Sequence, residues 1–186
     1  MLHLSSAIEF QPLRMPSGQL ITQDNLSLFQ KVLLSTDGTV TDLLALYTGE
    51  AINVQKLDQH MIAAKSAPIA LECEPESDVL RRRVILRGQQ KSYLYAESYF
   101  VFKRLSQPTQ EALMATDEPI GLMWRKERTE MYRQVIACKA QFCADAAAAL
   151  GVDKSVPILT RAYSIFVNRC QIGVICEKFP LSYFIE

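Results

Sequence analysis

The sequence predicts an α+β fold built on an antiparallel sheet, and three observations lead there. Strand-like runs come in hairpin-spaced pairs, helical periodicity is concentrated in the first half, and strand and helix do not alternate regularly as a parallel βαβ sheet requires. The expected architecture is about six strands with helices packed against them. Without repeats, low-complexity tracts or a Gly/Ser/Pro-rich linker, the chain reads as one domain over residues 1–186, with residues 1–22 as an N-terminal extension.

Each element follows from its residues. Thr22 or Asp24 caps a first helix that carries Leu26, Phe29, Val32 and Leu33 at helical spacing and ends near Ser35. Thr36-Asp37-Gly38-Thr39 is a turn in which Gly38 permits a positive φ, and Leu43, Leu44, Leu46 and Tyr47 mark a second helix. From Glu50 the period changes, with Ile52, Val54 and Leu57 spaced as in a strand, and a loop then runs to the acidic stretch Glu72-Cys73-Glu74-Pro75-Glu76. Val79 to Leu86 and Tyr93 to Phe102 flank a polar loop and form a hairpin.

A helix follows from about Pro108 to Met114, then a break at Asp117-Glu118-Pro119 and a run through Trp124 that suits strand or helix. Val135 and Ile136 tilt Tyr132 to Phe142 towards strand. Ala144 to Leu150 is a short helix that Gly151 closes with a left-handed cap. Thr160 to Val167 and Ile172 to Phe179 form a second hairpin around Asn168-Arg169-Cys170-Gln171.

Composition narrows the function. Apolar residues make up 49% and charged residues 22% of the chain, and twenty basic side chains balance twenty acidic ones, so no global positive field favours nucleic acid or an anionic membrane. No apolar run reaches the roughly 18 residues of a spanning helix, and Met1 to Gln11 lacks the pattern of a signal segment, so the expected location is the cytoplasm. Cys73, Cys138, Cys143, Cys170 and Cys176 show no CxxC pair and read as reduced thiols; His3 and His60 are isolated from each other and from the cysteines, so no metal site is expected. Motifs for dinucleotides, nucleotide phosphates, serine hydrolases and zinc proteases are absent.

Two charged residues stand out. Alternation places Arg82 on the face of Val84 and Leu86, while Arg81, Arg83 and Arg87 share the other face. A guanidinium on the apolar side needs an acceptor, which a protein carboxylate or a ligand can supply. Glu177 lies deep in a strand with two apolar faces, where a carboxylate is costly unless paired, and Lys178 faces the opposite way. On pattern alone both residues suit a structural ion pair as well as a site.

Taken in order, the pieces resemble the chorismate pyruvate-lyase family. The resemblance runs from about Leu26 to the C-terminus: the Leu-rich helix with Asp37-Gly38-Thr39-Val40-Thr41, the arginine-bearing strand Leu80 to Leu86, and Tyr93-Leu94-Tyr95-Ala96-Glu97-Ser98. Pro119-Ile120-Gly121, Arg133, Arg161-Ala162-Tyr163-Ser164 and Glu177-Lys178-Phe179-Pro180 complete it. The resemblance implies a six-stranded antiparallel sheet and a buried site under helix-turn-helix flaps. It further implies conversion of chorismate to 4-hydroxybenzoate and pyruvate for ubiquinone or plastoquinone synthesis, without metal or organic cofactor. Arg82 matches the arginine that grips the ring carboxylate, Glu177 matches the glutamate that meets the 4-hydroxyl, and Val40 and Ile120 match positions that offer backbone N–H groups. The chain departs from the family pattern at Thr160 to Ser164 and at the Asn168 to Gln171 turn, and Glu97 stands where the family has an arginine, so Glu97 takes no catalytic role.

Two rival readings remain. One is a non-catalytic effector-binding domain of the same fold, as in some bacterial transcription regulators; the roughly twenty-five residues ahead of the first helix are too few for the DNA-binding module such sensors carry, which favours the enzyme. The other is a lyase acting on a chorismate relative such as isochorismate.

Overall fold

The computed structural model describes residues 9–116 and 118–185. Of the residues singled out above, Met1 to Ile8, including His3, and Asp117 lie outside the described residues. Three two-residue strands come first: β1 (Phe10–Gln11), β2 (Leu13–Arg14) and β3 (Leu20–Ile21). Helices α1 (Leu28–Ser35) and α2 (Val40–Thr48) precede strands β4 (Asn53–Ala63), β5 (Asp78–Arg87) and β6 (Ser92–Val101). Helices α3 (Gln107–Ala115) and α4 (Ile120–Glu127) lead to β7 (Tyr132–Gln141), α5 (Ala144–Leu150), β8 (Ile158–Val167) and β9 (Cys170–Pro180).

The main sheet has seven strands, in the order β1-β7-β8-β9-β6-β5-β4. The expected six are its long, mutually antiparallel strands; the seventh, β1, lies parallel to β7 through Phe10↔Cys138 and Gln11↔Lys139. That corrects the six-stranded, all-antiparallel expectation, and two residues are too few to show a period in the sequence. The long strands form two meanders, β4-β5-β6 and β7-β8-β9, joined only where β6 pairs with β9.

Local chemistry explains several boundaries and shifts others. Thr22 caps a 3-10 turn over Gln23–Asn25, whereas α1 starts after Ser27, whose side chain accepts from the Gln30 N–H in a capping box. Gly38 does not adopt the expected positive φ; its N–H instead donates to Thr36 Oγ1 at 2.9 Å, a local bond that folds the turn without left-handed backbone. The run through Trp124 is helical, as α4. Gly151 closes α5 at φ 68°, as expected. The β8–β9 turn is tighter than expected: Asn168 and Arg169 both take left-handed φ, at 50° and 64°, while Cys170 and Gln171 already belong to β9.

Strand alternation assigns the two faces of the sheet. On one face lie Arg82, Val84, Leu86, Leu94, Ala96, Ile175 and Glu177. Helices α1 and α2 cover one end of this face through Leu33, Leu34 and Leu44, packed with Leu86, Leu94, Leu159 and Phe179. Helices α3 and α4 cover the other through Leu113, Met123 and Trp124, packed with Leu80, Phe100, Tyr163 and Ile175. The opposite face carries α5 on Ile85, Tyr95 and Ile158. The chain end is tied to α1 by Gln30, which is 1% exposed and donates to the Leu181 and Tyr183 carbonyls at 2.8 and 2.7 Å.

Candidate active site

Between the two helical hairpins and the sheet lies a cavity of about 330 Å³, large enough for a small organic ligand. Its floor is sheet, including Val84, Ala96 and Ser98, and its roof is the α1–α2 turn and the start of α4. All four residues named from the sequence line it: Val40, Arg82, Ile120 and Glu177. Arg81 and Arg83 lie on the other face, as alternation predicts, paired with Glu97 and Asp58 respectively.

Arg82 is 2% exposed and donates from Nη2 to the Glu118 carbonyl at 2.9 Å, which links β5 to the segment entering α4. The ladders Arg82↔Ser98↔Ile175 and Val84↔Ala96↔Glu177 set Glu177 two strands across and two residues along from Arg82, roughly 12 Å between backbones. Two long side chains of opposite charge thus flank a gap of ring size.

Val40 and Ile120 are the first residues of α2 and α4. The first intrahelical bonds run from Asp42 and Leu43 to the Thr39 carbonyl, and from Leu122 and Met123 to that of Pro119. The N–H groups of Val40, Thr41, Ile120 and Gly121 precede those bonds, so two helix N-termini meet the cavity with main-chain donors and partial positive charge.

Around Glu177 the structure reveals a network that strand patterning alone does not. Arg161, 2% exposed, faces Glu177 across the β8–β9 ladder and donates to Oε2 from Nη2 at 2.5 Å and from Nε at 3.2 Å. Tyr163 Oη donates to the other oxygen, Oε1, at 3.1 Å. Burial works against the Arg161 charge, but Glu177 outweighs it and the guanidinium pKa ends above its ordinary value. Burial and then the neighbouring Glu177 charge push the Tyr163 phenol well above its ordinary range, so it remains a donor. Arg161 Nη1 also bonds the Thr36 carbonyl, and Arg133 Nη1 bonds the next carbonyl, Asp37, at 2.7 Å. Two arginines of the sheet therefore clasp the turn that precedes Val40. Across the roof, Arg125 of α4 pairs with Asp42 of α2 at 2.6 Å.

Alternation puts Arg161 and Tyr163 on one face, a signal present in the sequence. Their partner depends on the register of the β8–β9 hairpin, set by the two-residue Asn168-Arg169 turn and the irregularity at Ile165/Phe166, not by the longer turn expected from the sequence. Among the described residues no cluster of three or more His, Cys, Asp or Glu side chains is placed to hold a metal ion, and no helix is long and apolar enough to cross a membrane.

Comparisons with known proteins bear on the family and on the fold. A family profile described as "Chorismate pyruvate-lyase Rv2949c-like" matches residues 34–184. A chorismate pyruvate-lyase of Mycobacterium leprae (strain TN) is 29% identical over 106 residues, which cover 56% of this chain and 50% of that protein; the chain thus aligns with about half the length of this relative. Among solved structures, PhnF from Mycobacterium smegmatis superposes with a TM-score of 0.61 at 14% identity, over 78% of this chain and 65% of the other. The effector domain of the same protein gives 0.59 at 14% identity, over 77% and 88%. The C-terminal domain of the histidine utilization repressor from Pseudomonas syringae pv. tomato gives 0.53 at 14%, over 69% and 91%. At these identities the structural likeness concerns the fold alone.

Proposed function

The chain belongs to the Rv2949c-like chorismate pyruvate-lyase family, and from that premise we propose that it cleaves chorismate into 4-hydroxybenzoate and pyruvate. The observation that carries the proposal is the placement of Arg82 and Glu177 on one face of the sheet, flanking a cavity that two helix N-termini roof.

Chorismate offers a ring carboxylate, a hydroxyl at C4 and an enolpyruvyl ether at C3. In this reading Arg82 and the first-turn N–H groups at Val40 and Ile120 hold the ring carboxylate, and Glu177 accepts a hydrogen bond from the C4 hydroxyl. The C3–O bond breaks, the C4 proton is lost and the ring becomes aromatic; that proton is balanced by the one taken up at the methylene carbon of enolpyruvate as it becomes pyruvate. Much of the driving force is the aromatic ring, so the protein's contribution is mainly orientation and a dry, charged enclosure. Arg161 and Tyr163 each hold one oxygen of Glu177 and fix its plane.

Incubating the purified protein with chorismate and identifying the products tests this reading. Equal amounts of 4-hydroxybenzoate and pyruvate are expected. A second reading has support in the regulator domains that share the fold: a site that binds an aromatic carboxylate without turnover. Tight 4-hydroxybenzoate binding without any pyruvate released from chorismate would establish that reading instead.

A further inference from the structure

The lyase reading accounts for one carboxylate and one hydroxyl of the substrate and leaves the carboxylate of the enolpyruvyl arm without a protein partner. Four arginines stand in or directly behind the cavity wall, and their partners separate them. Arg161 is matched by Glu177, and Arg125 by Asp42. Arg82 is assigned to the ring carboxylate. Arg133, half-buried on β7, lines the cavity, and its hydrogen bond goes to a neutral group, the Asp37 carbonyl. No carboxylate among the described residues lies within ion-pair distance of it.

Position agrees with charge. The guanidinium groups of Arg133 and Arg161 converge on consecutive carbonyls, Asp37 and Thr36, so the Arg133 head lies towards the Glu177 end of the cavity and acts electrostatically on Tyr163. On the ring, the arm at C3 is adjacent to the hydroxyl at C4. With that hydroxyl at Glu177, the arm extends to the same end. A guanidinium has five donors in a rigid fork, and one of them on Asp37 leaves the others for a planar carboxylate.

We propose that Arg133 binds the carboxylate of the enolpyruvyl arm, and so distinguishes the dianionic substrate from the monoanionic aromatic product. The inference rests on the lyase reading. It makes Arg133 a specificity-determining residue whose contact exists only while the ether bond is intact. Cleavage releases the ring from it, and 4-hydroxybenzoate stays with Arg82, Glu177 and the N–H groups at Val40 and Ile120.

The test compares two ligands on the full chain. Arg133→Ala should lower kcat/KM for chorismate roughly 10- to 100-fold, the range of a lost charged hydrogen bond, while Kd for 4-hydroxybenzoate, measured by calorimetry, changes by less than about 2-fold. Arg133→Lys, which keeps the charge and loses the fork, should fall between wild type and Arg133→Ala for chorismate only. Retained 4-hydroxybenzoate binding also shows that the variants fold. Were Arg133 merely to hold the Asp37 turn in place, both ligands would weaken together, because both use the N–H of Val40; that result, or unchanged kcat/KM for chorismate, overturns the assignment. Wild-type protein that neither cleaves chorismate nor binds 4-hydroxybenzoate overturns the lyase reading, and the assignment falls with it.

Discussion

Arg161 and Glu177 sit directly opposite each other in the β8–β9 ladder, and the guanidinium takes one carboxylate oxygen while Tyr163 takes the other. Both members of the ion pair are buried, at 2% and 7% exposure. Removing one partner of such a pair strands the other charge, whereas replacing both is far less costly. Arg161→Ala should therefore destabilise the protein by about 3–5 kcal/mol in urea denaturation. Arg161→Met combined with Glu177→Gln should recover most of that loss, although it removes the negative charge at the proposed ligand contact of Glu177. Equal destabilisation by the single and double variants would show that the pair acts through packing rather than charge.

Arg82 gives the sharpest separation of ligand binding from general charge. Arg82→Ala leaves a bound carboxylate without its buried cation, a loss of about 2–5 kcal/mol. Affinity for 4-hydroxybenzoate should fall by a factor of roughly 30 to several thousand. Arg81→Ala and Arg83→Ala remove the same charge from the same strand, but their partners Glu97 and Asp58 lie on the far face, so calorimetry should find little change. An equal defect in all three variants would place the ligand elsewhere.

Gly173 tests the seam between the two meanders. A Cβ there would stand 2.3 Å from Phe100 Cδ1 and 2.7 Å from the Tyr99 carbonyl oxygen, and Phe100 is fully buried. Gly173→Ala should cost about 1–3 kcal/mol or more in thermal unfolding. Adding Phe100→Leu should give only partial relief, since the carbonyl contact remains. A stable Gly173→Ala protein would contradict the close β6–β9 approach.

Acid stability should depend in part on Asp58. The hydrogen bond from Arg83 lowers its pKa below the ordinary 3.8, against a smaller opposing effect of burial. A depressed carboxylate stabilises the fold above its unfolded pKa, and the contribution disappears as pH falls through the folded value. Asp58→Asn should thus be less stable than wild type at pH 7 by at most about 1 kcal/mol, because the pair is partly solvated. Denaturant midpoints of the two proteins should converge below pH 3.8. A gap that does not narrow as pH falls below 3.8 would assign the effect to something other than charge.

What the sequence made legible follows the range of the interaction. Alternation placed Arg82 on the cavity face and its neighbours Arg81 and Arg83 on the other, because side-chain direction in a strand is a local property. Ala144 to Leu150 with Gly151 was readable for the same reason. The partners of Arg161 and Arg133 were not: Glu177 faces Arg161 only in the register that the tight Asn168-Arg169 turn sets, and the Thr36 and Asp37 carbonyls reach the two arginines only because a distant turn folds back over the sheet. β1 escaped because two residues have no period, and the Gly38 turn because the hydroxyl of Thr36, two residues earlier, replaced the expected left-handed backbone with a side-chain bond.

The two meanders meet along a single ladder, and the site straddles it. Arg82 comes from β5, on one side of the seam, while Glu177, Arg161 and Arg133 come from β9, β8 and β7 on the other. Neither meander alone brings a cation and Glu177 to face each other across a ring. Competence to bind consequently requires the β6–β9 pairing, a contact between segments far apart in the chain, of the kind that slows folding. A fluorescent or calorimetric ligand signal is, for this chain, a clock for the docking of its two halves.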